Sequence, residues 1–525
     1  MSLKQKNKHV LLINLTRFGD LIQSQPVLSK LKKQNFTTHL VCLENFAQAA
    51  DLLEHADYIH PFPGAKFLAH LDSHWPSAVA EFQKWIKKLT IKTDFDLTIN
   101  LTPSLSCRLL NSQFPSKENR GFYLDEMGFG CYSGNWAAFL QASSAHRGCS
   151  PFNIVDLFVR SAHLPATSTK PEIKKPEQNE IAAIQKILYQ ESSNRKFNGF
   201  VGFQLGASQD QRRWPVEYFA RLGEMLVQKL NLCPVLLGSK AEKNLADKYL
   251  SISQGPSVDL TGRTNLKELS AALSCCNLLI TNDTGTMHLA AGLNIKCVAF
   301  FLATAQPWDT GPYLENCLCI EPGMDCHPCS FAHKCQTSFS CRSSFSPKLI
   351  FQAVEFFNQH KKWPQINTDE ARMRVTDFNH GFYTLRPMND TARNNYSQWM
   401  IVQNHYYRLF LDDGEITPPN LPFINDRSFC KNIIEHLEQI IPLLNLAGEQ
   451  ARVLKKAPLP GVKKKFLSTW QRLSHQLSQS PHLPVLGLLW TYQSQEPSLD
   501  LDGITYLCSR YKHLIEAMHD FLSQS

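Results

Sequence analysis

Apolar positions along the chain follow two rhythms. Short unbroken runs recur through the first 302 residues: HVLLINL (9–15), THLVCLE (38–44), DLTINLT (96–102), GFVGFQLG (199–206), PVLLGS (234–239), NLLIT (277–281) and KCVAFFL (296–302). Between them lie stretches with apolar residues three and four apart, such as Asp20 to Lys33 and FAQAADLLEH. The unbroken runs suit strands buried on both faces, and the spaced ones suit amphipathic helices. Their alternation predicts βαβ units and parallel sheets. ATSTKPEIKKPEQNE (166–180) interrupts the alternation with proline, lysine and polar residues and reads as a linker. Two doubly wound domains are therefore expected, over 1–170 and 180–362. After Trp363-Pro364 the rhythm changes. ARMRVTDF has strand character, but YSQWMIVQNHYYRLFL, CKNIIEHLEQIIPLLNL, FLSTWQRLSHQLSQ and YLCSRYKHLIEAMHDFL read as amphipathic helices, so 366–525 is expected to be a mainly helical extension.

Composition narrows this picture. A length of 525 residues exceeds one ordinary core, and 43% hydrophobic with 19% charged residues describes a soluble globular chain. The net charge of +8 suits an anionic ligand or membrane surface and is too small to argue for nucleic acid. No run of 18 apolar residues occurs, and the apolar run after the basic start is too short for a signal-peptide core, so a cytoplasmic protein is expected. Most of the sixteen cysteines sit alone in apolar runs, as in a reduced compartment.

Three stretches carry candidate chemistry. TNDTGTMHLAAGL (281–293) places Asp283, Thr284, Gly285 and His288 where a strand hands over to a helix. In open α/β sheets ligands bind beyond the carboxyl ends of the strands, where helix N-termini present free N–H groups to anions. Thr284 suits an N-cap, Gly285 permits close approach to backbone, and His288 lies one turn on. A capped helix with a satisfied histidine accounts for the same residues. QLGASQDQRRWPVEYFARL (204–222) sets Gly206, Ser208, Arg212 and Arg213 between a strand and a helix starting near Pro215. The arginines offer forked donors to a diphosphate, or form a solvated basic loop. NLTRFGDLIQSQPVLSKL (14–31) sets Asp20 at the first strand-to-helix junction, where its carboxylate either takes a proton from an acceptor hydroxyl or caps the helix.

In this order and spacing the three stretches, with TAQPWDTGPY (304–313), resemble glycosyltransferase family 9, the ADP-heptose:lipopolysaccharide heptosyltransferases, over roughly residues 9–350. The resemblance implies a GT-B fold: two Rossmann-like domains facing a cleft, acceptor bound mainly by the first and nucleotide sugar by the second. It implies Asp20 as general base, Ser208 and Arg212 at the donor phosphates, and Asp283, Thr284, Gly285 and His288 as the donor-binding loop. Glu242 in GSKAEKNLA is similar to an acidic position on the nucleoside or sugar side. Arg212 stands where the family often has lysine, a planar fork in place of a point charge. The implied reaction is an inverting transfer of heptose, or a related sugar, from an ADP-sugar to a lipopolysaccharide-core or other saccharide, with no catalytic metal. The alternatives are transfer to serine or threonine of a protein and a non-catalytic, metal-stapled scaffold.

Two further features are candidates. DCHPCSFAHKCQTSFSC (325–341) holds Cys326, Cys329, Cys335 and Cys341, with His327 and His333 interleaved. Four thiolates so close suit a structural Zn²⁺ or iron; a reduced loop or one disulfide accounts for them equally. Cysteine-rich loops after TGPY also occur in relatives of this family, and its protein heptosyltransferases are associated with iron. KKAPLPGVKKKF (455–466) is a basic stretch that either touches anionic lipid, as a peripheral contact with the cytoplasmic face of the inner membrane, or is a solvated loop.

Overall fold

The computed structural model describes residues 8–91, 93–145, 148–166, 168–192, 195–329, 334–421 and 424–524. The chain divides into two units, one of Met1–Arg120 with Phe152–Ala392 and the other of Gly121–Pro151 with Arg393–Ser525. Among the described residues no helix is long and apolar enough to cross a membrane.

The first unit contains both α/β halves. In the first half, β1 (Lys8–Ile13), β2 (Phe36–Leu43), β3 (Tyr58–Phe62) and β4 (Phe95–Asn100) lie in the order β3-β2-β1-β4; β5 (Ser116–Leu124) begins where this segment ends, and β6 (Gly130–Tyr132) belongs to the second unit. β1 pairs in parallel with β2 and β4, and its Val10, Leu11, Leu12 and Ile13 are fully buried, as an unbroken apolar run requires. The single helix expected from Asp20 to Lys33 is two, Phe18–Gln23 and Gln25–Lys33, because Pro26 cannot donate a backbone hydrogen bond and the chain breaks at Ser24.

In the second half, β7 (Gly199–Gln204), β8 (Leu232–Leu237), β9 (Val258–Asp259), β10 (Leu278–Asn282), β11 (Cys297–Phe300) and β12 (Leu318–Pro322) continue into β13 (Ala371–Asn379) and β14 (Phe382–Pro387). The order is β14-β13-β12-β11-β10-β7-β8-β9, parallel from β12 inward and antiparallel at the β12–β13–β14 edge. The sheet thus extends beyond residue 366, where the helical extension was expected to begin. β13 joins β12 through an antiparallel ladder, and a buried ion pair between Arg374 and Glu321 of β12, each about 1% exposed, links the same two strands, a pairing that hydropathy does not reveal. Trp214, Phe219, Phe300 and Phe345 pack together in the core beneath this sheet.

The stretch read as a linker is pinned rather than free. Lys170 Nζ donates to the Gly292 carbonyl (3.0 Å) at the end of the Gly285–Gly292 helix, a cation where the helix dipole favours one. The TGPY segment is tied across the unit as well. Tyr313 Oη donates to Asp156 Oδ1 (2.6 Å), the Tyr383 N–H donates to Asp156 Oδ2 (3.1 Å), and burial pushes this carboxyl up to about 7.

The second unit is mainly helical: Asn395–Leu411, Arg427–Lys456, Pro460–Gln479, Pro484–Ser494 and Leu501–Ser523. Residues 121–151, expected within the first domain, belong to it. Gln493 Nε2 donates to Asn135 Oδ1 (2.9 Å) and Trp136 Nε1 to Asp412 Oδ1 (2.7 Å). The basic run 455–466 is no loop; Lys455 and Lys456 end one helix and Pro460 opens the next, with Lys455 paired to Asp502.

Candidate active site

Sequence places the candidate residues at carboxyl ends of strands; the tertiary structure brings the two edges together. β10 ends at Asn282 and the helix Gly285–Gly292 begins directly after it. Thr284 occupies the N-cap with extended backbone but makes no side-chain cap, contrary to what its residue type suggests, and its hydroxyl lies 3.3 Å from that of Thr281. A capping side chain therefore does not occupy the N–H groups of this helix tip. The helix Phe18–Gln23 meets it there: a Cβ placed on Gly285 would stand 2.1 Å from Phe18 Cδ1, and one on Gly19 would stand 3.0 Å from His288 Cδ2 and 3.5 Å from Gly285 Cα. Glycine at both positions lets the two tips touch. Asp20 sits in the first turn of its helix, half-buried, as are Asp283, Thr284 and Gly285.

His288 is 5% exposed, and burial pushes its pKa down to about 3, so the ring is neutral; its Nδ1 has no partner among the described residues. Arg212 is fixed in advance. Its Nε and Nη2 donate to the Thr304 hydroxyl (2.9 and 2.6 Å), and its Nη1 lies 3.6 Å from Asp283 Oδ2. Ser208 is exposed on the same loop. Glu242 enters from the end of β8: its Oε1 accepts from Gln204 Nε2 (3.1 Å), and its Oε2 accepts from the Ser239 N–H (2.7 Å) and hydroxyl (2.8 Å). A Cβ on Gly206 would fall 1.4 Å from Glu242 Oε1, which explains the glycine.

Residue types alone did not single out the side chains that wire these loops together. Asn282, fully buried, donates through Nδ2 to the carbonyls of Leu205 (2.9 Å) and Gly206 (3.2 Å) and accepts the Trp214 N–H on Oδ1 (2.9 Å). The Thr286 hydroxyl donates to Gln204 Oε1 (3.1 Å), which extends the relay Thr286–Gln204–Glu242–Ser239 across three strand ends. An asparagine as the last residue of a strand, before the Asp-Thr-Gly turn, was the signal available in the sequence.

Electrostatically the arrangement is a half-buried arginine and an uncapped helix tip on one side and a carboxylate in a first helical turn on the other. It can hold an anion and accept a proton nearby. Residues 85–338 match the family model of glycosyltransferase family 9 (heptosyltransferase). Over that span the chain is similar to glycosyltransferase family 9. The chain is 31% identical over 137 residues to lipooligosaccharide heptosyltransferase 2 of Campylobacter jejuni, 25% of this chain and 41% of that protein. It is 31% identical over 115 residues to lipopolysaccharide heptosyltransferase 2 of Escherichia coli K12, 21% and 32% of the two. The chain thus spans about a third to two fifths of the length of these curated relatives. The solved family 9 glycosyltransferase of Veillonella parvula superposes with a TM-score of 0.54 at 19% identity, covering 67% of this chain and 98% of that one, which shows the shared two-domain GT-B fold. Asp20 lies outside the matched family 9 span and joins the site only through the fold.

Among the described residues the cysteine loop is not arranged as the expected metal centre. Cys326 is exposed, Cys329 and Cys335 are half-buried and Cys341 is buried; residues 330–333, with His333, lie outside the described residues. Burial, and then the charges of Cys341, Cys326 and Cys335, push Cys329 up to about 11. Cys335, by contrast, is held below the usual thiol range by hydrogen bonds from Thr337 and the Phe339 N–H. Yet among the described residues no three His, Cys, Asp or Glu side chains are placed to hold a metal. His327 is turned inward, with Nε2 3.0 Å from the Ala305 carbonyl.

Proposed function

We propose that the chain is an inverting glycosyltransferase that moves heptose, or a related sugar, from an ADP-sugar to a saccharide acceptor of the lipopolysaccharide-core type. One observation carries this reading: the Gly285 helix tip, with Arg212 and Asp283 beside it, meets the helix that bears Asp20. A diphosphate at that tip is bound by backbone N–H groups and the Arg212 fork, donors already fixed by Thr304 and Asp283. As the sugar–phosphate bond breaks, negative charge grows on the departing diphosphate, and donors fixed beforehand stabilise it without reorganising. Asp20, on the opposite helix, takes the proton from the acceptor hydroxyl as that oxygen attacks the anomeric carbon from the face away from ADP. The buried, neutral His288 shapes the junction of the two helices and carries no charge to the phosphates.

The test is turnover of a panel of nucleotide sugars in the presence of cell-envelope extract, with Asp20→Ala alongside. Release of ADP from an ADP-sugar is expected. Asp20→Ala should lower kcat by roughly 10²- to 10⁴-fold while ADP still binds. Unchanged turnover in Asp20→Ala would exclude it as the base, and transfer to a peptide but not to envelope saccharide would replace the acceptor class.

A further inference from the structure

A cavity of about 860 Å³ opens at the carboxyl edge of the first sheet. One wall is Leu15, Leu43 and Phe62, at the ends of β1, β2 and β3; the facing wall is Phe67, Leu71 and Phe82, from the helix Gly64–Thr90. Polar groups are few: Glu44, which pairs with Lys66, and Asn45 follow β2, and Thr102, Ser104 and Ser106 lie beyond β4. The cavity adjoins the segment that delivers Asp20: the Leu15 N–H donates to the Thr102 hydroxyl (3.3 Å), and both residues line it.

The roofing helix is bent into two arms. His74 has non-helical angles (φ −157°, ψ 85°) before Pro76, and His70 Nδ1 lies 3.0 Å from Glu81 Oε2 across the bend. Its inner side chains Phe67 and Ala78 are buried, whereas Leu68, Leu71, Trp75 and Val79 are 67%, 47%, 64% and 40% exposed. Leu68, Leu71 and Val79 both line the cavity and reach solvent, so the mouth lies at this apolar rim.

The chemistry of the wall selects the occupant. A sugar or peptide placed against the carbon walls would lose the hydrogen bonds its polar groups make with water, a cost that the few polar groups after β2 and β4 do not repay along the rest of the wall. A hydrocarbon chain has no such groups, and each methylene buried tightens binding about fourfold. An amphipathic bent helix with leucine and tryptophan outward is also the kind of element that settles at the headgroup–acyl boundary of a bilayer. We propose that this cavity takes one hydrocarbon chain of a membrane-embedded, amphiphilic acceptor and so holds the acceptor's polar end beside the helix that carries Asp20. The assignment of the chain to the acceptor rests on the glycosyl-transfer reading; the binding of a chain does not.

The experiment measures cis-parinaric acid, a long fluorescent fatty acid, on the full-length protein, with ADP binding measured by calorimetry on the same samples. Saturable binding of one fatty acid per protein is expected. Leu71→Glu and Val79→Glu, both at the exposed rim where folding is not at stake, should weaken it by about tenfold or more and leave ADP binding unchanged. Ala78→Trp, which fills the cavity from its buried side, should abolish it. Absence of saturable binding, or equal binding in both rim variants, overturns the proposal. So does binding to phosphatidylethanolamine–phosphatidylglycerol vesicles without fatty-acid binding, which is surface adsorption. Fatty acid bound by a protein that fails to bind ADP supports the cavity and removes only the donor reading.

Discussion

The two halves of the first unit share a topology and use their strand ends in opposite ways. In the second half the carboxyl edge is polar and wired: Asn282, Gln204, Thr286, Glu242 and Arg212 join the loops after β7, β8, β10 and β11 through buried or half-buried hydrogen bonds. In the first half, polar pins are local, as where Asn14 Oδ1 accepts the Thr16 N–H (3.2 Å) and Asn100 Oδ1 the Thr102 N–H (3.0 Å), with the Leu15 N–H to Thr102 hydroxyl bond (3.3 Å) crossing from β1 to β4, and the space between the ends is mostly apolar. The first half carries a polar chain inside the sheet, where His39 contacts His9 and His60, each at 3.0 Å, across β1, β2 and β3. A preorganised polar edge suits a charged ligand of fixed geometry, and an apolar one suits a ligand held by burial.

This contrast can be broken at its strongest point first. Asn282→Ala removes the partner of a buried N–H and of two buried carbonyls, so it should cost on the order of 3 kcal/mol and loosen ADP binding with it, read by chemical denaturation and calorimetry. A variant that loses neither would show that the second edge is not a network. Gly206→Ala is milder: the new methyl meets Glu242, which three hydrogen bonds hold in place, and about 2 kcal/mol should be lost. The smallest effect concerns the histidine ladder. Burial first, then the neighbouring His60 and His9, pushes His39 down to about 4, against the attraction of Asp57. Because the folded ring refuses a proton that the unfolded chain accepts below about 6.5, stability should fall as pH drops from about 6.5 towards 4, by roughly 1 to 2 kcal/mol at pH 5. Melting curves between pH 7.5 and 5 should flatten in His39→Gln; an unchanged slope would remove His39 as the cause.

Much of this was legible in the chain. Seven unbroken apolar runs mark seven of the core strands to within two or three residues, because strands buried on both faces must be apolar throughout. The short or partnered strands escaped. β12 contains Glu321 and β3 contains Pro61 at a half-exposed edge, so hydropathy alone does not mark them; ARMRVTDF reads as a strand, but its pairing with β12 through Arg374 and Glu321 is not legible there. The same holds for residues 121–151, whose place with the helical unit depends on contacts with Asp412 and Gln493 some 276 and 358 positions away.

The sequence by itself determined which elements form and where the reactive groups stand along them: Asp20, Arg212 and Asp283 each follow a strand, because hydrophobic periodicity and turn chemistry are local properties. Only the tertiary structure decided that Gly19 packs against His288 and Gly285, that Arg212 reaches Thr304, and that a bent helix roofs an apolar cavity beside β1 to β4. Those facts depend on the close approach of segments far apart in the chain, which packing and glycine's missing side chain permit and no local pattern encodes.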